Sequence, residues 1–284
     1  MTRFYFLGPP EIRDDTGKLV DACTQSQSLI AYLATRPGRG AEREALAGVL
    51  WENADPEKQR TRLNTAIWRC RRMLADAGLD PEDVLYCSGT RISVRKSAPL
   101  WLDFEQLHCA RQMAVDPAEP ATDCKTAQQL EATSRLFRGG FLPGVDADWC
   151  LIERESLNLA YQAVLDWLLA HHEAMRAWPS VIDVANRMLV FDPLLEHAHR
   201  AKIRAHGAVG ERANVVRQYE RCRDLLQVEL GVQPLPETEA AFRQAMSLAT
   251  IAPEMPSNAK GSLSGVISEL KSALQALEKL NTET

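Results

Sequence analysis

The sequence predicts a mostly α-helical chain with a small β part near its N-terminus. Apolar residues recur at spacings of three and four over much of residues 151–230, as in helices that bury one face. Short runs of aromatic and aliphatic residues alternate with Pro and Gly before residue 20, which is typical of short strands joined by turns. With 284 residues, the chain has room for about two domains.

The composition is that of a globular protein, with 45% hydrophobic and 25% charged residues. No apolar run approaches the roughly 20 residues that cross a bilayer, and the N-terminus lacks the layout of a signal peptide. We therefore expect a cytoplasmic protein without membrane contact. The seven cysteines are odd in number and never spaced as CxxC, so we expect reduced thiols.

Charge is distributed unevenly along the chain. Residues 1–98 contain 15 Lys and Arg against 13 Asp and Glu, whereas the whole chain has a net charge of −5. The pI of about 5.8 argues against a protein that coats nucleic acid non-specifically. It is compatible with a protein that docks a single basic helix on nucleic acid.

The first hundred residues divide into short strands, three helices and a hairpin. Asp55-Pro56-Glu57 is a typical helix start, because Pro and an acid suit the first turn. The predicted elements are short strands within Arg3–Val20, a first helix over Leu29–Thr35, a second over Arg43–Trp51, a third from Asp55 to near Gly78, and a hairpin over Val84–Val94 around Ser88-Gly89.

The third helix has one strongly basic segment, residues 58–72, with six basic side chains and no acidic one. A helix with this outer face suits a DNA major groove, where Arg reads guanine and Asn reads adenine through paired hydrogen bonds. The alternative for such a segment is a solvated surface. The predicted buried stripe is Leu63, Ala66, Ile67, Cys70 and Leu74, which leaves Arg62, Asn64, Thr65, Trp68, Arg69 and Arg72 outside.

The runs REALAGVLW and LNTAIWRCRRML, followed by the hairpin, resemble the winged helix-turn-helix DNA-binding domain of OmpR/PhoB-type regulators. By position, the resemblance implies that four side chains face base edges and four lie near phosphates, while Arg91 on the wing approaches the minor groove. The base-reading candidates are Asn64, Thr65, Trp68 and Arg69, and the phosphate candidates are Arg60, Arg62, Arg71 and Arg72.

Three features depart from that pattern. Gln25-Ser26-Gln27 stands where related activators often carry basic residues, the wing has Gly89-Thr90 in place of the usual Gly-Tyr pair, and Trp68 occupies a position that is more often polar or basic. These departures favour a rival hypothesis, a protein-interaction adaptor whose winged domain no longer reads DNA. The basic face of residues 58–72 disfavours it.

The sequence predicts that the chain after residue 98 is mostly helical. Leu100–Phe104 looks like a segment that joins the winged domain to a helical one, and Asp116–Thr126 is a predicted loop. The predicted helices cover residues 151–172, 180–191, 195–208 and 211–230. In the last one, the expected buried stripe is Val215, Tyr219, Cys222, Leu226 and Leu230, with Gly231 and Pro234 ending the helix.

A second resemblance lies in Asp192-Pro193-Leu194, Glu196–Arg200, Gln218–Arg221 and Glu229–Pro234, which are similar to the bacterial transcriptional activation domain. That domain is an array of helix pairs of tetratricopeptide (TPR) type. Together the two resemblances cover about residues 1–248, in the order of the antibiotic-regulatory-protein (SARP) activators. They imply a homodimer that binds direct repeats in double-stranded promoter DNA and helps to recruit RNA polymerase.

The predicted organisation has four parts: a winged domain over 1–98, a helical domain over 99–248, a linker over 249–262 and a short amphipathic helix over 263–284. In the last part, Leu263, Val266, Leu270, Ala273, Leu277 and Leu280 repeat as a short a/d pattern. Residues 263–281 are therefore expected to dock on the helical domain, to pair with a protein partner or second subunit, or else to fray.

Nothing in the sequence predicts an enzyme, a cofactor or a metal site. GxGxxG, GxxxxGK[ST], HExxH and GxSxG are all missing. His197 and His199 are two residues apart and point away from each other on a helix, and His171-His172 are adjacent. The sequence thus predicts a transcriptional regulator, most specifically an activator, that acts by sequence-specific DNA binding and protein contact.

Overall fold

The computed structural model describes residues 1–115 and 124–251, which fall into two compact units that meet in sequence at Phe191–Asp192. The first contains β1 Thr2–Tyr5, β2 Glu11–Arg13, α1 Thr24–Thr35, β3 Gly40–Glu42, α2 Arg43–Leu50, α3 Pro56–Asp76, α4 Pro81–Val84, β4 Leu85–Cys87, β5 Arg91–Val94, β6 Leu100–Leu102, α5 Asp103–Val115, α6 Cys124–Ser134, α7 Asp148–Ala174 and α8 Trp178–Phe191.

A three-stranded sheet opens the first unit, with β1 between antiparallel β2 and parallel β6. Leu100–Phe104, the segment predicted to join the winged domain to a helical one, forms β6 and the start of α5. Leu100 and Leu102 are buried, which draws this segment into the sheet as β6. Asp103 follows it, fully buried, and its carboxylate accepts hydrogen bonds from the backbone N–H groups of Phe6, Leu7 and Phe104 at 2.8–3.0 Å.

The three predicted N-terminal helices are confirmed as α1, α2 and α3, and the hairpin as β4 and β5. The strands β3, β5 and β4 form a second sheet in that order. Strand β3 had not been predicted. The hairpin tip is Gly89-Thr90 rather than Ser88-Gly89. Ser88 and Arg91 exchange backbone hydrogen bonds of 2.9 and 3.1 Å across it, which makes those two residues the last pair of the ladder.

Helices α5 to α8 complete the first unit. The predicted loop over Asp116–Thr126 ends earlier than expected, because α6 already begins at Cys124; residues 116–123 lie outside the described part. Between α6 and α7 the chain returns to the N-terminal strands. Gly8 N–H donates to Gly140 at 3.1 Å, and Leu142 N–H donates to Phe6 at 2.9 Å.

The second unit contains α9 Glu196–Ala208, α10 Arg212–Leu230 and α11 Pro236–Ile251. Helix α10 ends as predicted at Gly231, which adopts φ +69 in the left-handed region. Leu230 is 57% exposed, so its predicted burial was wrong: it lies in the last helical turn, beyond the contacts of Leu226. Helix α11 was not predicted and extends into the predicted linker; the remaining linker and the a/d segment, residues 252–284, lie outside the described residues.

Helices α9 and α11 cross closely at Gly207. A Cβ atom there would lie 2.5 Å from the Cβ and 2.7 Å from the Cα of Ala245. We therefore expect Gly207→Val to lower the free energy of unfolding of the second unit by about 2–3 kcal/mol, because the helices must move apart. Urea unfolding followed by circular dichroism measures this. Gly48→Ala in α2 is the control, since its Cβ meets nothing within 4 Å and Ala favours helix; equal losses would contradict the prediction.

Candidate nucleic-acid interface

The amphipathic pattern of α3 is present as predicted. Leu63, Ala66, Ile67, Cys70 and Leu74 are buried against the rest of the first unit. All four candidate base-reading side chains, Asn64, Thr65, Trp68 and Arg69, lie on the exposed side of α3. Trp68 is 60% exposed, an unusual fraction for the largest apolar side chain. The outer face of α3 thus presents donors, acceptors and one indole to solvent.

The candidate phosphate-binding arginines are mostly held by acidic neighbours. Exposed ion pairs of this kind contribute less than about 1 kcal/mol each, so a phosphate group can replace the carboxylate. Arg62 is exposed and forms no ion pair with any residue that the structure describes. The pairs are Arg60 with Glu44 at 2.7 Å, Arg71 with Glu82 at 2.9 Å, Arg72 with Asp76 at 4.0 Å and Arg91 with Glu42 at 3.7 Å.

Asn64 is held in one orientation by the first residue of α2. The Arg43 guanidinium donates a 2.6 Å hydrogen bond to Asn64 Oδ1. The Asn64 amide therefore keeps both N–H donors and one lone pair of Oδ1 for other partners. That is the set needed for adenine, which accepts at N7 and donates at N6.

Thr65 and Trp68 offer different contacts. The Thr65 hydroxyl donates to the backbone carbonyl of Thr61 at 3.0 Å, so its oxygen remains only as an acceptor, while the methyl group is free for apolar contact. The Arg72 guanidinium carbon lies 5.9 Å from the centroid of the Trp68 ring. Trp68 and Arg72 thus form one cation–π pair at the surface.

Arg69 turns toward the N-terminus of α1. Although burial raises the pKa of the Cys23 thiol, hydrogen bonds from Ser26 and from Arg69 lower that pKa below its usual value. Cys23 is the N-cap residue of α1, and its Sγ lies 3.2 Å from Ser26 Oγ. Arg69 thus lies near the N-terminus of α1.

The wing lies beside α2 and α3. The backbone N–H of Arg43 donates to the carbonyl of Thr90 at the hairpin tip, at 2.7 Å. Arg43 is thus bonded to the wing through its backbone and to α3 through its side chain. An open cavity of about 500 Å³ lies between the three elements and is lined by Glu42, Arg43, Glu44, Arg60, Leu63, Asn64, Gly89 and Thr90.

Sequence reasoning missed Arg43, Glu42 and Glu44. One signal was available, since a cation in the first turn of a helix is disfavoured by the helix dipole and so suggests a role outside the helix. The segment Gln25-Ser26-Gln27 differs from the related activators at fewer exposed positions than the sequence suggested. Ser26 and Gln27 are buried, and only Gln25 is exposed on α1.

His199 is a buried histidine whose two ring nitrogens are both hydrogen-bonded within the protein. His199 is 2% exposed, accepts from Gln218 at Nδ1 over 2.5 Å and donates from Nε2 to the Pro193 carbonyl at 2.9 Å. Burial lowers the pKa of His199, which keeps the ring neutral. Across residues 1–115 and 124–251, no three His, Cys, Asp or Glu side chains lie close enough to hold a metal ion.

No helix in those ranges is both long and apolar enough to cross a bilayer.

Known proteins of similar sequence are transcriptional regulators. The family called bacterial transcriptional activator domain matches residues 102–245. MoaR1 of Mycobacterium tuberculosis is 22% identical, over 86% of this chain and 79% of its own. EmbR of the same species is 24% identical over 84% of this chain and 61% of its own. AfsR of Streptomyces coelicolor is 27% identical over 82% of this chain, but only 23% of its own length.

The fold has a close counterpart among solved structures. Mycobacterium tuberculosis EmbR, solved in complex with a low-affinity phosphopeptide, aligns with a TM-score of 0.67 over 95% of this chain and 71% of its own, at 20% identity. The shared fold is a winged helix followed by a helical array. The chain belongs to the bacterial transcriptional activator domain family, and it is a SARP-type transcriptional activator.

Proposed function

We propose that this protein regulates transcription by binding double-stranded DNA sequence-specifically, with α3 in the major groove and the β4–β5 wing over the adjacent backbone. Asn64, Thr65, Trp68 and Arg69 read bases in this proposal. Arg60, Arg62, Arg71 and Arg72 contact phosphates, and Arg91 reaches the minor groove. We further propose that the protein acts in the cytoplasm, bound to the nucleoid.

The observation that carries the proposal is the outward face of α3. Its described side chains combine six basic groups of residues 58–72 with an oriented amide at Asn64, an acceptor at Thr65 and a wing bonded alongside. Phosphate contacts position such a helix, and base-edge contacts then give sequence preference. A surface helix with only a solvation role has no need of an oriented amide.

We also propose a homodimer that binds direct repeats and contacts RNA polymerase. One winged module has a small interface with DNA, and linking two of them raises affinity through effective concentration. The outer face of α7 supports a protein contact, since Leu151, Ile152 and Leu159 are 43%, 71% and 51% exposed there. The a/d segment of residues 263–281 is a second candidate for a protein contact.

The rival function is a protein-interaction adaptor. The specific observation in its favour is that Trp68 is exposed and that four of the five candidate arginines for phosphate and wing contacts already have acidic partners. Binding to DNA releases counterions, whereas an adaptor has no such dependence. A salt titration therefore separates the two functions.

We expect the affinity for duplex DNA to fall steeply between 50 and 200 mM salt, as for proteins with several phosphate contacts. Arg62→Gln should lower the slope of log affinity against log salt by about 1, because it removes one phosphate contact. Fluorescence anisotropy of a labelled duplex measures both. The control is Arg223→Gln, an exposed arginine of the second unit paired with Asp224. A flat titration, or equal slopes for both variants, would contradict the proposal.

A further inference from the structure

A second cavity lies in the first unit, between the C-terminus of α6, the segment after it, α7 and α8. Its volume is about 660 Å³, within the range of sites for small molecules. Its aromatic wall is made by three rings. Phe137 and Tyr161 stack at 4.0 Å with an interplanar angle of 8°, and Phe191 meets them edge-on at 5.9 and 5.5 Å.

All the charged residues that line this cavity are basic. Arg135, Arg138 and Arg187 line it, and none of its lining residues is acidic. Their acidic partners, Glu131, Glu11 and Asp183, are not among the lining residues. The cavity therefore combines an apolar aromatic wall with a positive rim, which favours an anionic ligand.

Two polar groups in the cavity have no partner within the described ranges. Tyr161 is 5% exposed as a whole residue, and its hydroxyl forms no hydrogen bond with any residue that the structure describes. The Asn158 amide, three residues earlier on α7, is likewise unpaired within residues 1–115 and 124–251. Both groups therefore keep their hydrogen-bonding capacity for a ligand or water in the cavity.

The cavity also borders the contact between the helical part of this unit and its N-terminal strands. Arg138 N–H donates to Leu7 at 3.2 Å, and the Arg138 guanidinium bonds Glu11 at 2.6 Å. Gly8 has φ +106, and a Cβ at Gly8 would lie 2.9 Å from the Arg138 Cβ. A molecule against Arg138 therefore touches the segment that holds β1 and β2.

We propose that this cavity is a binding site for a small anionic molecule that carries an aromatic ring. The ring packs against the wall of Phe137, Tyr161 and Phe191. The anionic group accepts hydrogen bonds from the Tyr161 hydroxyl, the Asn158 amide and an arginine of the rim. The site is separate from α3 and does not depend on the proposed DNA contacts.

The test uses the full chain and a fluorescent aromatic sulfonate, anilinonaphthalene sulfonate, with salicylate and neutral salicylamide as competitors. We expect saturable one-to-one binding that salicylate reverses and salicylamide does not. Asn158→Asp should weaken binding about tenfold, because it places a carboxylate where the anion binds. Asn186→Asp makes the same change at an exposed position of α8 that does not line the cavity, and it should alter affinity less than about twofold.

Arg135→Gln provides a second, independent variant, since Arg135 is 71% exposed and we expect its loss to leave the fold intact. It should weaken binding about threefold to fivefold, as expected for one rim charge. Absence of saturable binding would overturn the proposal. Equal affinity of Asn158→Asp and the unchanged protein, or equal competition by salicylamide, would overturn it as well.

Discussion

Replacing Asn64 by Ala should weaken binding to the preferred DNA site about tenfold to hundredfold, because a bidentate amide–base contact contributes about 1–3 kcal/mol of discrimination. The same change should leave affinity for random duplex almost unchanged, since phosphate contacts remain. Competition binding with both duplexes measures the ratio. Asn186→Ala, an exposed asparagine on α8, is the control. Equal losses on specific and random DNA would contradict base reading by Asn64.

Arg43 refines this expectation. Its guanidinium holds Asn64 Oδ1 at 2.6 Å, so it acts as a positioning residue for the amide. Arg43→Ala should lower specific affinity, but in the Asn64→Ala background it should have little further effect. A double-mutant cycle measures this coupling. If Arg43 contacted only a phosphate, the two losses would add and the salt slope would decrease by about 1.

Asp103→Ala should lower the free energy of unfolding of the first unit by about 2–4 kcal/mol. It leaves the buried N–H groups of Phe6, Leu7 and Phe104 without their acceptor, and relief from burying a carboxylate offsets only part of that loss. Chemical denaturation of the full chain at neutral pH measures this difference. Asp21→Asn, an exposed acid in the same unit, should have little effect. A loss no larger than that of Asp21→Asn would contradict the role of Asp103.

The same carboxyl group makes stability depend on pH. Burial raises the pKa of Asp103 from 3.8 to about 6, so the folded unit holds a proton that the unfolded chain has released between these values. The free energy of unfolding should therefore fall as pH rises from about 4 to 6, by at most about 3 kcal/mol, and should not change further above that. Asp103→Asn should remove this component, and Asp21→Asn should retain it. Identical pH profiles for both variants would contradict the assignment.

The long, periodic elements could be predicted from sequence because burial sets their pattern. Helix α3 has its apolar stripe at Leu63, Ala66, Ile67, Cys70 and Leu74 as expected, and its start at Pro56 follows from local chemistry at the first turn. The outward position of the four base-reading candidates followed from the same periodicity. Their roles on DNA remain predictions.

What could not be predicted depends on contacts between distant residues. Strand β6 has only three residues, and its pairing with β1 spans almost a hundred positions, so no local pattern distinguishes it from a connector. The bond from Arg43 to Asn64 likewise joins two helices, and periodicity describes each helix only by itself. The cavity beside Phe137 and Tyr161 arises where α6, α7 and α8 meet, which no spacing within one helix reveals.

The most direct test of DNA reading is selection of binding sites from random duplex DNA by the full-length protein at near-physiological salt. We expect enrichment of a short direct repeat whose halves are separated by about one helical turn, as two winged modules on one face of DNA require. The enriched site should lose its preference in Asn64→Ala. A folded protein that enriches no sequence would contradict base reading by α3 and would favour the adaptor function.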